Sequence, residues 1–286
     1  MGIQFEKVSF NYPKKTNTPT SLALSQIDLN IASKNEFIAL VGQTGSGKST
    51  LVQLMNALLT TDNGNISIFG QKINTKTKKN LLTALRKKVG LVFQFPEYQL
   101  FEATILKDVM FAPLNFLNNQ QAAQTKASQT LDAIGIKPTL YHKSPFQISD
   151  GQQRKVALAG ILAMEPDILV LDEPTRGLDL SSQTSIMHFL QNLNQLGKTI
   201  IMITHDMNLV ASYAKRVVAL KQGKIMFDGS KKTFFESTPD FASFNLGLPE
   251  TFKILHHLNA TLGIPFQPQY CFDDLLQYLK KLRSLQ

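Results

Sequence analysis

Gly42-Gln43-Thr44-Gly45-Ser46-Gly47-Lys48-Ser49-Thr50 fits the spacing G-x-x-x-x-G-K-[ST]. Residues of these types in this order hold a chain of phosphates. The glycines let backbone N–H groups wrap phosphate oxygens without Cβ clashes. Lys48 sets its charge against the β- and γ-phosphates, and the Ser49 hydroxyl is suited to ligate Mg²⁺. A helix beginning nearby adds the positive end of its dipole. A second group is Ile168-Leu169-Val170-Leu171-Asp172-Glu173, an apolar run ending in two carboxylates. Asp172 suits holding Mg²⁺ through water, as the other half of a nucleoside triphosphate site. Glu173, the next residue along a strand and so facing elsewhere, suits orienting and polarising an attacking water. An ordinary turn would explain a strand-end Asp-Glu pair alone; beside a phosphate loop the triphosphate reading is stronger.

These residues need a scaffold that brings them together. Phe37 to Val41 is a continuous apolar run ending at Gly42, as expected of a strand buried on both faces. Leu51, Leu54, Met55 and Leu58 have helical spacing and predict a helix over Ser49 to Leu59. Three more buried strands are predicted at Val89 to Phe93, Ile168 to Leu171 and Ile200 to Thr204, each followed by polar residues: Gln94, Asp172 and His205. In an open parallel sheet, ligands bind beyond the C-terminal strand ends, so these segments aim polar groups at one edge. Near-alternating Ile3/Phe5/Val8/Phe10 and Leu24/Ile27/Leu29/Ile31 predict strands separated by a polar loop from Pro13 to Pro19; Ile66 to Phe69 predicts another. Residues from about 100 to 150, with a helix over Ala122 to Ile134, read as a helical insertion. Val217 to Leu220, a Gln222-Gly223 turn and Ile225 to Phe227 read as a hairpin. The expected fold is α/β, with a mainly parallel sheet and an antiparallel β-subdomain. Residues 1–230 form its main domain. Residues 231–286 form a small α-rich unit ending in a helix from Phe272 to Leu285.

Composition sets the outer bounds. The chain has 286 residues, is 43% hydrophobic and carries a formal charge of +9. That length buries a core without staples, and the single Cys271 excludes a disulfide framework or a cysteine-rich zinc site. No apolar run approaches the roughly 20 residues that span a bilayer, and no signal peptide opens the sequence. A cytosolic chain, soluble by itself, is the expectation. The excess positive charge favours anionic partners, though its scattered lysines read first as solvated surface.

Ser149-Asp150-Gly151-Gln152-Gln153, upstream of Asp172, resembles the signature motif of the ATP-binding cassette (ABC) ATPases. The resemblance covers roughly Ile3 to Gly229. It implies a nucleotide-binding fold of the P-loop type with ATP and Mg²⁺ as ligands. Gln94 matches the family's Q-loop glutamine, a metal ligand with Ser49 and Asp172. Gly177-Leu178-Asp179 resembles the D-loop and His205 the switch histidine, which would bond the γ-phosphate and Glu173. Tyr12 matches the aromatic that stacks on adenine. The signature implies a dimer that sandwiches two nucleotides, with Ser149, Gly151 and Gln152 reading the γ-phosphate across the interface. Asp150 departs from the pattern, which has glycine there. A carboxylate near a triphosphate adds repulsion, so the site it completes is expected to turn over slowly; the alternative is an Asp150 that simply faces solvent.

Val92-Phe93-Gln94-Phe95-Pro96-Glu97-Tyr98-Gln99-Leu100-Phe101 looks like the Q-loop region of energy-coupling factor (ECF) transporter ATPases, which power vitamin and metal import. Ile161 to Pro166, Thr175 to Asp179 and the C-terminal unit resemble the same group. The resemblance implies a second paralogous ATPase as heterodimer partner, a transmembrane coupling protein and a substrate-binding membrane protein. It places the chain peripherally on the cytoplasmic face of the cell membrane, with no nucleic acid partner. Pro96, Leu100 and Phe101, with the charge of Glu97, are expected to form the coupling protein's groove; the alternative is that Leu100 and Phe101 pack the helical insertion. Other readings fit less well. A DNA-repair ABC ATPase needs a long coiled coil that the interval from Ser49 to Ser149 cannot supply. Ribosome-associated members usually carry two cassettes, and a small-molecule kinase leaves Ser149 to Gln153 and His205 unexplained. An ABC transporter outside the ECF group lacks this Q-loop wording.

Overall fold

The structure, a computed structural model, describes residues 2–12, 22–117, 119–237, 244 and 246–284. The strands are β1 (Ile3–Phe10), β2 (Leu24–Ile31), β3 (Phe37–Gly42), β4 (Asn65–Ile68), β5 (Gln71–Ile73), β6 (Val89–Val92), β7 (Ile168–Asp172), β8 (Thr199–Ile203), β9 (Arg216–Lys221) and β10 (Lys224–Ser230). The α-helices are α1 (Lys48–Met55), α2 (Lys79–Lys88), α3 (Ile105–Leu117), α4 (Gln120–Ala133), α5 (Asp150–Leu162), α6 (Leu180–Gln195), α7 (Met207–Tyr213), α8 (Lys231–Ser237), α9 (Glu250–Leu262) and α10 (Phe272–Arg283).

Two sheets form. One has six strands in the order β10-β9-β3-β8-β7-β6, parallel except for β10. The other is antiparallel, in the order β2-β1-β4-β5. The parallel strands are apolar on both faces because both faces are covered. Ile168 and Val170 join the core beneath the antiparallel sheet and α1, whereas Leu169 and Leu171 join the core beneath α3 to α6. Each such side chain, fully buried, contributes about 1.5–3 kcal/mol. The α/β class, the mainly parallel sheet, the antiparallel subdomain and the helical insertion are as expected.

Local differences have local causes. The helix expected to Leu59 stops at Met55, because Ala57 turns left-handed (φ 55°). The Arg86 guanidinium takes the Ala57 carbonyl at 2.7 Å, and the Asn56 amide bonds the Val89 carbonyl. The Gln222-Gly223 turn forms with both φ values positive (49° and 74°), which sets β10 antiparallel to β9. The loop expected from Pro13 to Pro19 and the helix end at Leu285 lie outside the described residues. Beyond Ser230, α8 to α10 are helical. Phe235, Leu246 and Phe252 share a core with Ala39 and Val41 of β3 and with α7.

Candidate functional site

Register delivers the chemistry to one edge. Asp172 lies opposite Ile203 across β7 and β8, and Leu40 of β3 lies opposite Ile203 on the other side. The polar residues after each strand therefore meet in one polar cleft of about 470 Å³. Gly42, Gln43, Thr44, Gly45, Lys48 and Ser49 line it from the loop. Gln94, Asp172, Glu173 and His205 line it from the ends of β6, β7 and β8. A more apolar cleft of about 410 Å³ opens instead beside Glu165, Pro166 and Lys198, at the N-terminal ends of β7 and β8. It holds none of these residues.

The loop's shape depends on its backbone. Gly42 has φ 140°, and a Cβ there would sit 2.2 Å from the Leu220 carbonyl oxygen. Gly47, at φ 104°, caps α1, and its Cβ would meet the Ala23 carbonyl at 2.6 Å. Only glycine serves at either position. The turn between β9 and β10 props the loop from behind, through the Gly223 N–H on the Ser46 carbonyl at 3.0 Å. Lys48 folds over its own loop, donating to the carbonyls of Gly42 (2.7 Å) and Gln43 (3.0 Å). Burial lowers its pKa, against the opposing pull of Asp172 and Glu173.

Asp172 and Glu173 both line the cleft. In a regular strand, successive side chains would point to opposite faces. Here Glu173 is left-handed (φ 51°), and its N–H bonds the Ile203 carbonyl at 3.0 Å, so the chain turns immediately after β7. The expectation that Glu173 faces elsewhere is corrected by that turn. A non-glycine residue held there costs about 1–3 kcal/mol, typical of strain kept at functional sites. Burial, then the neighbouring Glu173, raise the Asp172 pKa, with Lys48 opposing. Glu173 Oε1 lies 2.6 Å from His205 Nδ1; the carboxylate is largely buried and the imidazole exposed.

Other expected residues stand apart from the cleft. Ser46 and Thr50 are buried behind the loop, and the Ser46 hydroxyl has no hydrogen-bond partner among the described residues. Tyr12 bonds Thr50 Oγ1 at 3.1 Å and packs edge-on against Phe10, leaving its ring half-exposed beside the start of α1. Ser149 caps α5, and Gln152 Oε1 accepts the Ser149 N–H at 3.3 Å. Gly151 lies against Ser182 at the start of α6, where a Cβ would meet Oγ at 2.9 Å. Ser149, Gly151 and Gln152 are thus brought together with each other but not with the loop of their own chain; Asp150 is exposed beside them. Arg176 and Leu246 also line the cleft, and sequence reasoning missed both. Arg176 sits in the Thr175 to Asp179 stretch that resembles the ECF group, which was the available signal; a lone leucine carries none.

The expected groove is only partly right. Pro96 and Leu100 are buried in the core, and Glu97 is committed to Arg154 at 3.2 Å, both side chains being largely buried. The surface is made by the exposed Phe95, Tyr98, Phe101 and Phe111, in ring contact as Phe95–Tyr98 (5.7 Å) and Phe101–Phe111 (4.9 Å).

Comparisons with known proteins bear on the family and the fold. A family model described as "ABC transporter" matches residues 24–176, and one described as "AAA domain, putative AbiEii toxin, Type IV TA system" matches residues 142–211. The chain is 43% identical over 263 residues to the energy-coupling factor transporter ATP-binding protein EcfA2 of Bacillus subtilis, covering 91% of this chain and 95% of that one. It is 42% identical over 266 residues to EcfA2 of Lactococcus lactis, covering 93% and 91%. Among solved structures, cbiO1 from Clostridium perfringens, described as part of the ABC transporter complex cbiONQ, superposes with TM-score 0.73 at 32% identity, over 91% of this chain and 95% of that one. The ATP-binding cassette MJ0796, in a dimeric post-hydrolysis state bound to ADP and Pi, gives 0.71 at 30% identity, over 80% and 98%.

Proposed function

The chain belongs to the ABC transporter family and, within it, to the EcfA2 kind of energy-coupling factor transporter ATP-binding proteins; from that premise we propose how its residues divide the work. It is an ATP-hydrolysing subunit of an ECF transporter. The observation that carries the residue assignments is the single cleft shared by the Gly42 to Ser49 loop, Gln94, Asp172, Glu173 and His205.

The loop N–H groups and Lys48 bind the β- and γ-phosphates of ATP. For Lys48 this means exchanging the Gly42 and Gln43 carbonyls for phosphate oxygens. Tyr12 stacks on the adenine, being half-exposed beside α1. The donor set suits Mg²⁺. Ser49, Gln94 and Asp172 are oxygen donors in one cleft, the hard donors that Mg²⁺ takes. When bound by Ser49, Gln94 and Asp172, Mg²⁺ withdraws charge from the phosphate oxygens. Glu173 positions the attacking water and accepts its proton. His205 holds the Glu173 carboxylate through Nδ1; a ring that carries a proton on both nitrogens would also donate from Nε2 to the γ-phosphate.

Ser149, Gly151 and Gln152 act on the nucleotide of an opposing ATPase subunit. That none of the three lines the cleft of their own chain supports that reading, as does the dimeric MJ0796 cassette. Nucleotide bound by both halves favours the closed dimer, and hydrolysis releases it. The partner is a second, paralogous ECF ATPase, and residues 231–286 help hold the two together. The exposed aromatics around Tyr98 and Phe101 receive a transmembrane coupling protein, which works with a substrate-binding membrane protein to import vitamins or other micronutrients. No helix among the described residues is long and apolar enough to cross a membrane. In this assembly the chain works peripherally, at the cytoplasmic face.

The test is affinity purification of the tagged chain from detergent-solubilised membranes, with mass spectrometry of co-purifying proteins. A second cassette ATPase, a multi-spanning protein and small membrane proteins are expected. Recovery from the soluble fraction alone overturns the assembly.

A further inference from the structure

We propose that the segment after Ser230 completes the hydrolysis site of its own chain. Leu246 supplies an apolar wall of the phosphate cleft, and its neighbours hold the helix that carries His205 into place. This rests on the assignment of the cleft to ATP, and gives the segment a task inside the chain, separate from holding two subunits together.

The first observation is Leu246 itself. Of the residues lining the cleft, it is the one that lies beyond Ser230, and it is nearly buried there. With Ile203 it gives apolar surface to an otherwise polar site. An apolar wall excludes stray water and strengthens every electrostatic interaction beside it, including Glu173 with His205.

The second observation is the attachment of α7. His205 is exposed, and its side chain has Glu173 as its hydrogen-bond partner, so its position depends on the element it leads into. That element is α7, seven residues long, capped by Asp206 through the N–H groups of Asn208 and Leu209. So short a helix does not hold itself in water. The C-terminal segment holds it. The Glu250 N–H donates to Asn208 Oδ1 at 2.8 Å, and the Ser212 hydroxyl donates to the Tyr270 carbonyl at 3.4 Å. Lys231 Nζ donates to the Ala211 carbonyl. Beneath these bonds, Leu246 and Phe252 share a core with Met207, Val210 and Ala211. Lys231, Leu246, Glu250, Phe252 and Tyr270 thus reach both the cleft and the helix behind its histidine. Asn208 is a positioning residue, acting on hydrolysis through His205.

The experiment uses the purified transporter complex and measures ATP turnover, KM for ATP and thermal midpoint. Asn208→Ala removes the acceptor for Glu250 at an exposed position; Asn208→Asp keeps it. Leu246→Ser opens the wall. The expected result is a kcat about threefold or more lower for Asn208→Ala and Leu246→Ser, with KM within about twofold of wild type, and recovery in Asn208→Asp. Turnover within about twofold of wild type in both Asn208→Ala and Leu246→Ser overturns the proposal. So does an equal loss in Asn208→Ala and Asn208→Asp, which would mark a merely structural site. Lys48→Ala is the control: photo-crosslinking of an azido-ATP analogue to this chain within the complex, undiminished by the change, overturns the reading of the cleft itself, and this inference with it.

Discussion

His205 Nδ1 and Glu173 Oε1, from segments that come directly after adjacent parallel strands, sit 2.6 Å apart at the edge of the sheet. The pair joins a strained, largely buried carboxylate to an exposed imidazole. Neither residue alone suggests hydrolysis; the role proposed for Glu173 rests on their hydrogen bond inside the polar cleft. Glu173→Gln keeps the size of the side chain and removes the base. Turnover should fall by about 10²-fold or more while ATP binding persists. Phosphate release and nucleotide-binding titrations on the same preparation check this, and parallel loss of both would point to a binding role instead.

Lys48→Ala should act on the other step. On the proposed role it deletes the cation that binds the β- and γ-phosphates, so ATP affinity should drop by at least about tenfold, roughly one charge-assisted hydrogen bond's worth. Equilibrium binding of a fluorescent ATP analogue reads it directly. Unchanged affinity would remove Lys48 from the phosphate site.

Asp172 predicts a pH effect with a definite sign. Its folded pKa is raised above the ordinary 3.8 by burial and by Glu173. Below that ordinary value the carboxyl is protonated in both states and the penalty is absent. As pH rises through the folded pKa, the buried charge forms and stability is lost. Asp172→Asn should therefore raise the thermal midpoint of the nucleotide-free chain at pH 7 by about 2 °C, and have no such effect near pH 3.5. The same change should abolish turnover. A lower midpoint at pH 7 would contradict the sign.

Asp150→Gly should trade stability for speed. A unit charge about 10 Å from a phosphate through water contributes roughly 0.4 kcal/mol, so its removal should raise turnover of the assembled complex about twofold. Asp150 also stands in the first turn of α5, where an acid favours the helix and glycine does not. The variant should lose about 1 kcal/mol of stability. No rise in turnover would mean that Asp150 faces solvent harmlessly.

Glu97 is a poor probe of the partner surface, because it neutralises the buried Arg154 guanidinium. Glu97→Lys would break a buried pair, at about 3–5 kcal/mol. Tyr98→Ser with Phe101→Ser alters exposed rings instead. Co-purification of the membrane partners should fall several-fold while the thermal midpoint stays within about 2 °C. Full recovery of partners would free these aromatics from that role.

The central fold is legible in the sequence where burial is two-sided. The runs Phe37 to Val41, Ile168 to Leu171 and Ile200 to Ile203 are apolar without interruption; they lie in β3, β7 and β8, and the polar residues after them converge as expected. The sequence is silent where elements have only one thin apolar stripe. Of α2, only Leu85 is buried, and its lysines and arginine hide the period. Leu100 misleads because an apolar residue beside a functional glutamine looks the same whether it faces a partner or the core. The left-handed turn at Glu173 has no glycine to announce it, and Leu246 reaches the cleft through tertiary packing that no local pattern encodes.

The phosphate loop leaves the ribosome long before the strands that flank it. β3 is the third strand in the chain, yet in space it lies between β8 and β9, which begin at Thr199 and Arg216. During synthesis at about 5–20 residues per second, its six buried residues wait for many seconds without either neighbour. A nascent chain stopped before Ile203 therefore carries the whole G-x-x-x-x-G-K-S sequence with no sheet to hold it. The cleft therefore cannot take its shape until the last third of the chain is made, and until then β3 is an apolar hexapeptide without its sheet neighbours.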